Sequence, residues 1–243
     1  MEQTKERNFT QEIQEMIDRV ACPFQVFSEN TSIEEINQIY EAAQIRGKKE
    51  GFTPILVCAD RILIEWLTTQ KERFPSEKEI LQLQETSGEN KLIEWKNWYQ
   101  EHPLNENPGD FFQWEFKPRK KKELNSFQRR GELILFEIPV IHPWEVIAWM
   151  PIGGWNCCPD AVEMMTFCKK WYQECGAIPA VFSYNTLEFR IERPVKEKSL
   201  AWELAKEHYL FCNDCADFCT EIGLLRDIAS SICQADTWFF WWD

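Results

Sequence analysis

The chain has 243 residues, of which 44% are hydrophobic and 28% are charged. That composition is too apolar for a disordered chain and too charged for an integral membrane protein. The 40 acidic and 27 basic residues leave a formal charge of −13, and a field of that sign repels nucleic acids and anionic membranes. We therefore expect a protein partner, and neither a nucleic acid nor a membrane.

The cysteines and the lack of a targeting signal predict the compartment. No apolar stretch follows the charged residues 2–7, and no run approaches the length of about 18 apolar residues that suggests a membrane span. The ten cysteines lie within apolar patterns, as in Val57-Cys58 and Phe167-Cys168, whereas disulfide-dense domains are usually short and secreted. The sequence predicts a cytoplasmic protein with reduced, buried thiols.

Residues 1–101 are predicted to form an N-terminal α/β region. In chain order, the predicted elements are a helix at 9–20, a strand at 24–27, a helix at 33–47, a strand at 54–59, a helix after Asp60 and a helix near 90–101. A hydroxyl followed three residues later by glutamate, within Thr31-Ser32-Ile33-Glu34-Glu35, marks the start of the second helix. The continuous apolar run at 54–59 indicates a strand buried on both faces, and the strand–helix–strand order suggests a parallel crossover unit.

Residues 102–131 interrupt this pattern and are predicted to connect two regions. They contain Asn107-Pro108-Gly109 and the basic run of residues 117–122. The basic run suits an acidic partner or phosphate groups, but self-repulsion in a solvated linker explains it better because the whole chain is acidic.

Residues 132–243 are predicted to form a C-terminal α+β domain. The predicted elements are strands at 133–140 and 144–150, a helix at 159–175 with Pro159 as its first residue, a hairpin of 177–184 and 186–192 around Asn185, helices at 200–211 and up to 233, and a strand at 238–242. This order matches a split-βαβ, ferredoxin-like layer with helices on one face. The expected fold is thus an α+β sandwich, with the smaller N-terminal region packed onto this layer.

The last predicted strand consists almost entirely of large aromatic residues. Trp238, Phe240 and Trp242 point to one face of a strand, while Phe239 and Trp241 point to the other. A half-exposed strand would alternate with polar residues, so we expect both faces to be covered, the second one by the N-terminal region or by a partner protein.

A series of short motifs in the C-terminal region resembles a known family. The motifs are Ile138-Pro139-Val140, Pro143-Trp144-Glu145-Val146, Gly153-Gly154-Trp155-Asn156, Cys158-Pro159, Phe211-Cys212-x-Asp214 and Trp238-x-Phe240-Trp241-Trp242-Asp243. Together they resemble DUF4253, a bacterial family of unknown function, over about residues 133–243, with a weaker likeness at 33–47 and 54–59. The resemblance implies a bacterial, mostly cytoplasmic protein and implies no reaction. Cys157, Cys215 and Cys219 depart from the shared pattern.

Three groups of residues are candidates for chemistry, and the first is a possible metal site. His208, Cys212, Cys215 and Cys219 share one helical face and are of types that bind zinc. One straight helix spreads four such residues over about 16 Å, so at most Cys212 and Cys215 could join Cys157 or Cys158. A stripe of small apolar thiols in the core explains the spacing better, and we expect no metal and no cofactor.

The second candidate is Cys158, which precedes a predicted helix whose N-terminus would lower the pKa of its thiol. His142 or His208 would act as the base, and a backbone opened by Gly153, Gly154 and Asn156 would admit a ligand. The competing interpretation is a cap and turn in which Trp155 is inserted into the core.

The third candidate is a group of carboxylates that share a helical face, namely Glu203, Glu207, Asp214, Asp217 and Glu221. A charged solvent face explains most of them. Asp214 lies within a family motif and is expected to cap a helix, while Asp243 is expected to pair with a basic group.

Two functional hypotheses follow. The first is a non-catalytic module that binds another bacterial protein, for example an immunity-type antidote whose acidic surface neutralises a basic toxin. The alternative is an enzyme with a pocket around Gly153, Gly154, Trp155, Asn156 and Cys158, and Asp214 nearby. The familiar nucleotide-binding, metalloprotease and serine-hydrolase motifs are missing from the sequence, which favours binding over catalysis.

Overall fold

A computed structural model describes residues 9–104, 106–117, 121–127, 132–218 and 224–243, apart from the side chains of 216–218. Within these ranges the helices are α1 (Gln11–Val20), α2 (Ile33–Glu50), α3 (Arg61–Arg73), α4 (Glu77–Glu101), α5 (Ala161–Cys175), α6 (Lys198–Phe211) and α7 (Leu224–Ile232). The strands are β1 (Phe24–Val26), β2 (Thr53–Ala59), β3 (Glu132–Ile138), β4 (Ala177–Ser183), β5 (Thr186–Ile191) and β6 (Thr237–Trp241). Short 3₁₀ helices occur at Phe111–Gln113, Pro143–Ala148 and Asn213–Phe218.

The six strands form one mixed sheet in the order β1-β3-β2-β4-β5-β6, which confirms the predicted α+β class. Only β2 and β4 are parallel neighbours, and the other four strand pairs are antiparallel. Because β1 and β2 both run antiparallel to β3, the β1–α2–β2 crossover is parallel, with β3 inserted between its two strands.

The predicted ferredoxin-like strand order is wrong. That order requires the C-terminal strands to form a layer of their own, whereas β2 from the N-terminal region lies between β3 and β4. Every residue of β2 is buried, and a strand covered on both faces belongs inside a sheet rather than in a separate layer. The N-terminal region therefore contributes strands to the sheet instead of only packing on it.

Helices cover the two faces of the sheet unequally. Alternate residues of β2 enter two different cores, Ile55 and Val57 on one side and Leu56 on the other. The smaller core is closed by α2 and contains Tyr40. Residues of the other six helices belong to the larger core, so all three helices of the C-terminal region lie on one face, as predicted. None of the described helices is both long enough and apolar enough to cross a membrane.

Local capping explains where several helices begin. The side chains of Ser32 and Asp60 accept hydrogen bonds from backbone N–H groups at the starts of α2 and α3, as the sequence predicts. In α5 the N-cap is Asp160, which forms a reciprocal capping box with Glu163. Pro159 thus precedes the cap and is not the first helical residue.

The predicted strand at 144–150 is wrong, because Pro143–Ala148 forms a 3₁₀ helix. The apolar pattern of this segment indicates that it is buried, and it does not indicate a strand. The buried residues are Trp144, Val146, Ile147 and Ala148. Proline at the first position also suits a short helix, since its missing N–H would have no partner there.

The last strand is found where the sequence predicts it, but only one of its faces is covered. Trp238 and Phe240 are buried in the larger core together with Trp242. On the opposite face Phe239 is 46% exposed and Trp241 is partly exposed. Within the described residues the N-terminal region therefore does not cover this second face, and its cover by a partner protein stays a prediction.

The connecting segment packs more closely than a solvated linker. Phe111 is buried in the larger core, and Leu124 and Phe127 are buried in the smaller one. Of the basic run, residues 118–120 lie outside the described residues. Lys121 forms an ion pair with Glu41 of α2, which ties this segment to the smaller core.

Candidate functional site

Residues 153–158 form a tight turn whose shape depends on glycine, and this segment is called the 153–158 turn below. Gly153 and Gly154 have φ values of +91° and +85°, in the left-handed region. A Cβ on Gly153 would lie 2.0 Å from the carbonyl oxygen of Pro159. The backbone N–H of Gly154 already donates to the carbonyls of Cys158 and Pro159, so it is not available to a ligand.

The turn is fixed to helix α3 of the N-terminal region. The carbonyl of Gly153 accepts a hydrogen bond from the indole N–H of Trp66 at 3.2 Å. The rings of Trp66 and Trp155 meet edge to face, with centroids 4.9 Å apart. Arg73 forms an ion pair with Asp160 at 2.7 Å. These contacts favour the structural interpretation of the Gly-Gly-Trp-Asn motif.

Three of the sequence-predicted site residues meet beside this turn. The side chain of Asn156 donates to the carbonyl oxygen of Asp243 at 2.9 Å, and the backbone N–H of Asp243 donates to the carboxylate of Asp214 at 3.0 Å. Asn156 itself has a positive φ of 42°. Asp243 thus joins Asn156 to Asp214, and three of the family motifs meet at this point of the fold.

Cys158 lies in an environment that opposes nucleophilic chemistry. It is 5% exposed, and burial raises the pKa of its thiol, with further contributions from Cys212 and Asp214. This is the opposite of the lowered pKa that the sequence suggested. The physical reason is that Asp160, and not Cys158, caps α5, while apolar packing surrounds the thiol.

In the described structure, the groups that shift the pKa of the Cys158 thiol include no histidine. His142 is exposed and stacks on Trp144, with ring centroids 4.6 Å apart. His208 is buried among the rings of Trp171, Trp238 and Phe240. The structure therefore does not bring together the predicted thiol and base.

The cysteines proposed as metal ligands have other contacts. Cys212 is buried, its thiol donates to the carbonyl of Trp241 at 3.1 Å, and burial raises its pKa to about 12. Cys215 is partly buried and packs against the larger core. Cys219 lies outside the described residues. In the described part of the chain no three histidine, cysteine or acidic side chains are grouped so that they could hold a metal ion.

Most of the candidate carboxylates that the structure describes bind nearby side chains. Glu207 accepts hydrogen bonds from Lys170 and from the indole N–H of Trp171, and Glu203 pairs with Lys206. Neither the side chain of Asp217 nor any part of Glu221 is among the described residues. Of the described carboxylates in this group, Glu207 therefore links α6 to α5, Glu203 pairs within α6, and Asp214 binds the backbone of Asp243.

A groove that the sequence did not predict adjoins the 153–158 turn, and it is called the aromatic groove below. It encloses about 370 Å³ between α4 and α6. It is lined by Glu94, Trp95, Trp98, Cys157, Tyr209, Leu210 and Asn213. Trp95 is anchored on Phe167 of α5, while Trp98 stays 48% exposed. Both parts of the chain therefore contribute to one surface.

The sequence does not predict this groove, because helical periodicity places Trp95 and Trp98 together on α4 but does not show whether another element covers them. One feature of the sequence does point to an exposed Trp98: His102 lies four residues further on, a spacing that lets two side chains on a helix meet. In the structure the two rings stack with centroids 4.8 Å apart. Cys157 was noticed only as a departure from the family pattern. In the structure it is exposed, and the side-chain amide of Asn213 donates to its sulfur at 3.3 Å.

Comparison with known proteins identifies one family. The model of the domain of unknown function DUF4253 matches residues 134–243, which confirms the resemblance predicted from the sequence motifs. No curated protein and no solved structure matches the chain. The matched range begins inside β3 and contains the 153–158 turn, α5, α6 and the last three strands of the sheet.

Proposed function

We propose that the protein, in which residues 134–243 match the model of DUF4253, is a non-catalytic module that binds a basic protein partner through the aromatic groove. The observation that carries this proposal is the exposure of Trp98 beside Trp95 and Tyr209. Exposed tryptophan and tyrosine side chains in a concave surface are typical of energetically dominant positions in protein interfaces.

The chemistry of the partner follows from the charge of this surface. The chain carries a formal charge of −13, and Glu94 lies at the groove with most of its side chain exposed and its carboxylate 3.7 Å from the ammonium of Lys91. An arginine or lysine of a partner can stack on the indole of Trp98 while its charge faces Glu94, a geometry in which cation–π attraction contributes about 0.5–1 kcal/mol. A basic toxin neutralised by an acidic antidote is one partner of this kind.

Catalysis receives less support from the same geometry. The thiol of Cys158 is buried with a raised pKa, and the N–H of Gly154, which an oxyanion would need, is already bonded within the turn. Binding requires only the surface that the groove provides. The family resemblance supports a bacterial protein. Cys158, Cys168 and Cys212 are free thiols, which supports a location in the cytoplasm.

The test is a binding titration on the full chain with defined peptides. The probe is a fluorescein-labelled peptide of alternating arginine and leucine, and its counterpart with aspartate in place of arginine has the opposite charge. We expect the basic peptide to bind with an affinity that falls as salt is added, and the acidic peptide not to bind. Trp98→Ala should weaken the binding about tenfold or more, as expected for a dominant interface residue.

A matched variant separates the groove from non-specific attraction. Ile93→Ala removes a comparably exposed apolar side chain from the same helix, outside the groove, and leaves the net charge unchanged. Its affinity should equal that of the wild type. If Trp98→Ala and Ile93→Ala bind the basic peptide equally well, the attraction depends on the overall charge and the proposal fails.

A further inference from the structure

The exposed indole of Trp98 is backed by a histidine ring. His102 directly follows the last residue of α4, and its ring stacks on that of Trp98, with centroids 4.8 Å apart and an angle of 24° between the planes. The lining of the aromatic groove includes Trp98 but not His102. The ring that a partner would contact is thus held against a second ring that can change its charge.

Two hydrogen bonds fix the position of the His102 ring. The carbonyl of Trp98 accepts one from the backbone N–H of His102 at 2.9 Å and one from the ring nitrogen Nδ1 at 3.1 Å. Because a carbonyl oxygen can only accept, Nδ1 carries a proton, and Nε2 is the nitrogen that takes up a second one. His102 is exposed to water, so protonation of its ring requires no change of fold.

The charge of His102 changes what the indole of Trp98 offers to a basic side chain. With a neutral imidazole behind it, the indole attracts a guanidinium or an ammonium through its π electrons. An imidazolium in the same place draws on the same π electrons and brings a positive charge within about 10 Å of the partner's cation. Histidine side chains change their charge between pH 5 and 8, so both effects oppose a basic partner as the pH falls through this interval.

Other charged groups surround this end of α4. They come from α4 itself, from α6 across the groove and from the segment that follows α4, and they are Glu94, Glu101, Glu106, Glu203, Lys206 and Tyr209. Among the described residues none of them forms an ion pair with His102, and Lys206 pairs with Glu203. A variant that changes only His102 keeps all of them, so its comparison with the wild type isolates the histidine.

We propose that His102 makes the binding of a basic partner at the aromatic groove dependent on pH, with tighter binding while the imidazole is neutral and weaker binding once it is charged. This inference rests on the proposed function, because it concerns the same groove and the same kind of partner. It adds a means of release, since mild acid loosens the partner without unfolding the groove.

The test measures binding to the full chain by isothermal titration calorimetry at pH 7.5 and pH 5.5. The salt concentration is about 10 mM, where the Debye length of about 30 Å leaves the charges little screened. The probe is an unlabelled peptide of alternating arginine and leucine with blocked ends, which has no group that titrates in this interval. His102→Phe keeps a ring beside Trp98 but cannot be charged. We expect acidification to weaken binding to the wild type about two- to fivefold more than binding to His102→Phe.

Two further variants complete the design. His102→Gln removes the ring as well as the charge, and it should lose the additional pH response just as His102→Phe does. His142→Phe is the matched control, because His142 is also exposed and stacks on a tryptophan, Trp144, at 4.6 Å, but does not line the groove. It should respond to pH as the wild type does. Circular dichroism at both pH values checks that each protein is folded.

The outcomes separate this inference from the proposed function. If the wild type and the two His102 variants lose affinity by the same factor on acidification, His102 does not control the groove, and the inference fails while the proposed function stands. If the wild type does not bind the peptide at pH 7.5, both fail together. A pH response that disappears in His142→Phe and persists in His102→Phe also overturns the role of His102.

Discussion

Gly153 provides the sharpest test of the turn at the residue scale. Gly153→Ala places a Cβ 2.0 Å from a backbone oxygen in a left-handed conformation, so the whole turn must move. We expect the free energy of unfolding to fall by about 2–5 kcal/mol, measured by urea denaturation.

The matched control for this substitution is Gly51, which has a similar φ of +85° but no atom within 4 Å of an added Cβ. Gly51→Ala should therefore show only the conformational cost, about 1–2 kcal/mol. Equal losses in the two variants would mean that the close approach to Pro159 does not constrain the turn.

Neighbouring cysteines of the turn should react at very different rates. Cys157 is exposed, whereas Cys158 is buried with a raised pKa, and only the thiolate attacks a disulfide reagent. In native protein at neutral pH, Cys157→Ser should remove one fast-reacting thiol from a titration with Ellman's reagent, and Cys158→Ser should remove none. The reverse result would restore the enzyme hypothesis centred on Cys158.

Burial of His208 predicts a loss of stability in mild acid. Unfolded chains protonate histidine below a pKa of about 6.5, while the folded protein keeps His208 neutral down to about 3. The unfolded state then binds one more proton, so the free energy of unfolding falls as the pH drops from 6.5 towards 3. By pH 5 this residue alone should contribute a loss of about 2 kcal/mol.

The variant His208→Phe isolates this contribution, because it keeps an apolar ring among Trp171, Trp238 and Phe240 but cannot titrate. Urea denaturation at pH 7 and pH 5 should show a smaller loss for the variant than for the wild type. If both proteins lose the same stability over this interval, His208 is protonated as easily in the folded state as in the unfolded one.

At the scale of elements, strand β6 offers a comparison between adjacent aromatic residues. Phe240 is buried in the larger core and contacts Trp171 in parallel stacking at 5.6 Å, while Phe239 faces outward. Phe240→Ala should cost about 3–5 kcal/mol of unfolding free energy, and Phe239→Ala no more than about 1 kcal/mol. Thermal denaturation of the two variants checks this, and similar losses would indicate that the outer face of β6 is covered in solution.

Elements that depend on local chemistry were predictable from the sequence. The starts of α2 and α3 follow from hydroxyl and carboxylate caps at Ser32 and Asp60, and the Gly176 C-cap ends α5. The 144–150 run was not predictable, because a short and mostly apolar segment is compatible with a buried strand and with a short helix alike. In the structure Pro143 begins a 3₁₀ helix here, and Trp144 packs against Tyr172 of α5.

The candidate site was only partly predictable, for a related reason. The motif residues Asn156, Asp214 and Asp243 were predicted from the sequence, and they do meet in the structure. Their hydrogen bonds go to one another and not to a ligand. The aromatic groove depends on how α4 lies against α6, two helices that are about a hundred residues apart in the chain. Helical periodicity gives the face on which Trp98 lies, but it does not indicate whether another element covers that face.

At the scale of the whole molecule, the sheet joins both halves of the chain. Strand β3 has β1 on one side and β2 on the other, and β4 also pairs with β2. The order of elements along the chain did not reveal this arrangement, since strand pairing between distant segments leaves no local pattern. The sequence signal that pointed towards it was the continuous apolar run at 54–59, which predicts a strand inside a sheet, and β2 is buried along its whole length.

A fragment of residues 132–243 should therefore fail to fold independently. It would lose both neighbours of β3 and the parallel partner of β4, which exposes strand edges and apolar faces to water. We expect poor dispersion of amide signals by NMR and no cooperative transition in urea, in contrast to the full chain. A soluble fragment with a sharp transition would show that these residues form an independent folding unit.

The position of the family boundary extends this conclusion to other chains. The family match starts at residue 134, inside β3, while the strands on both sides of β3 are supplied by residues that precede the match. If a relative keeps this arrangement, its own upstream segment, or a separate polypeptide, has to insert two strands at the same places. The matched segment is then an incomplete sheet, which needs two strands from outside the match to cover β3 and β4.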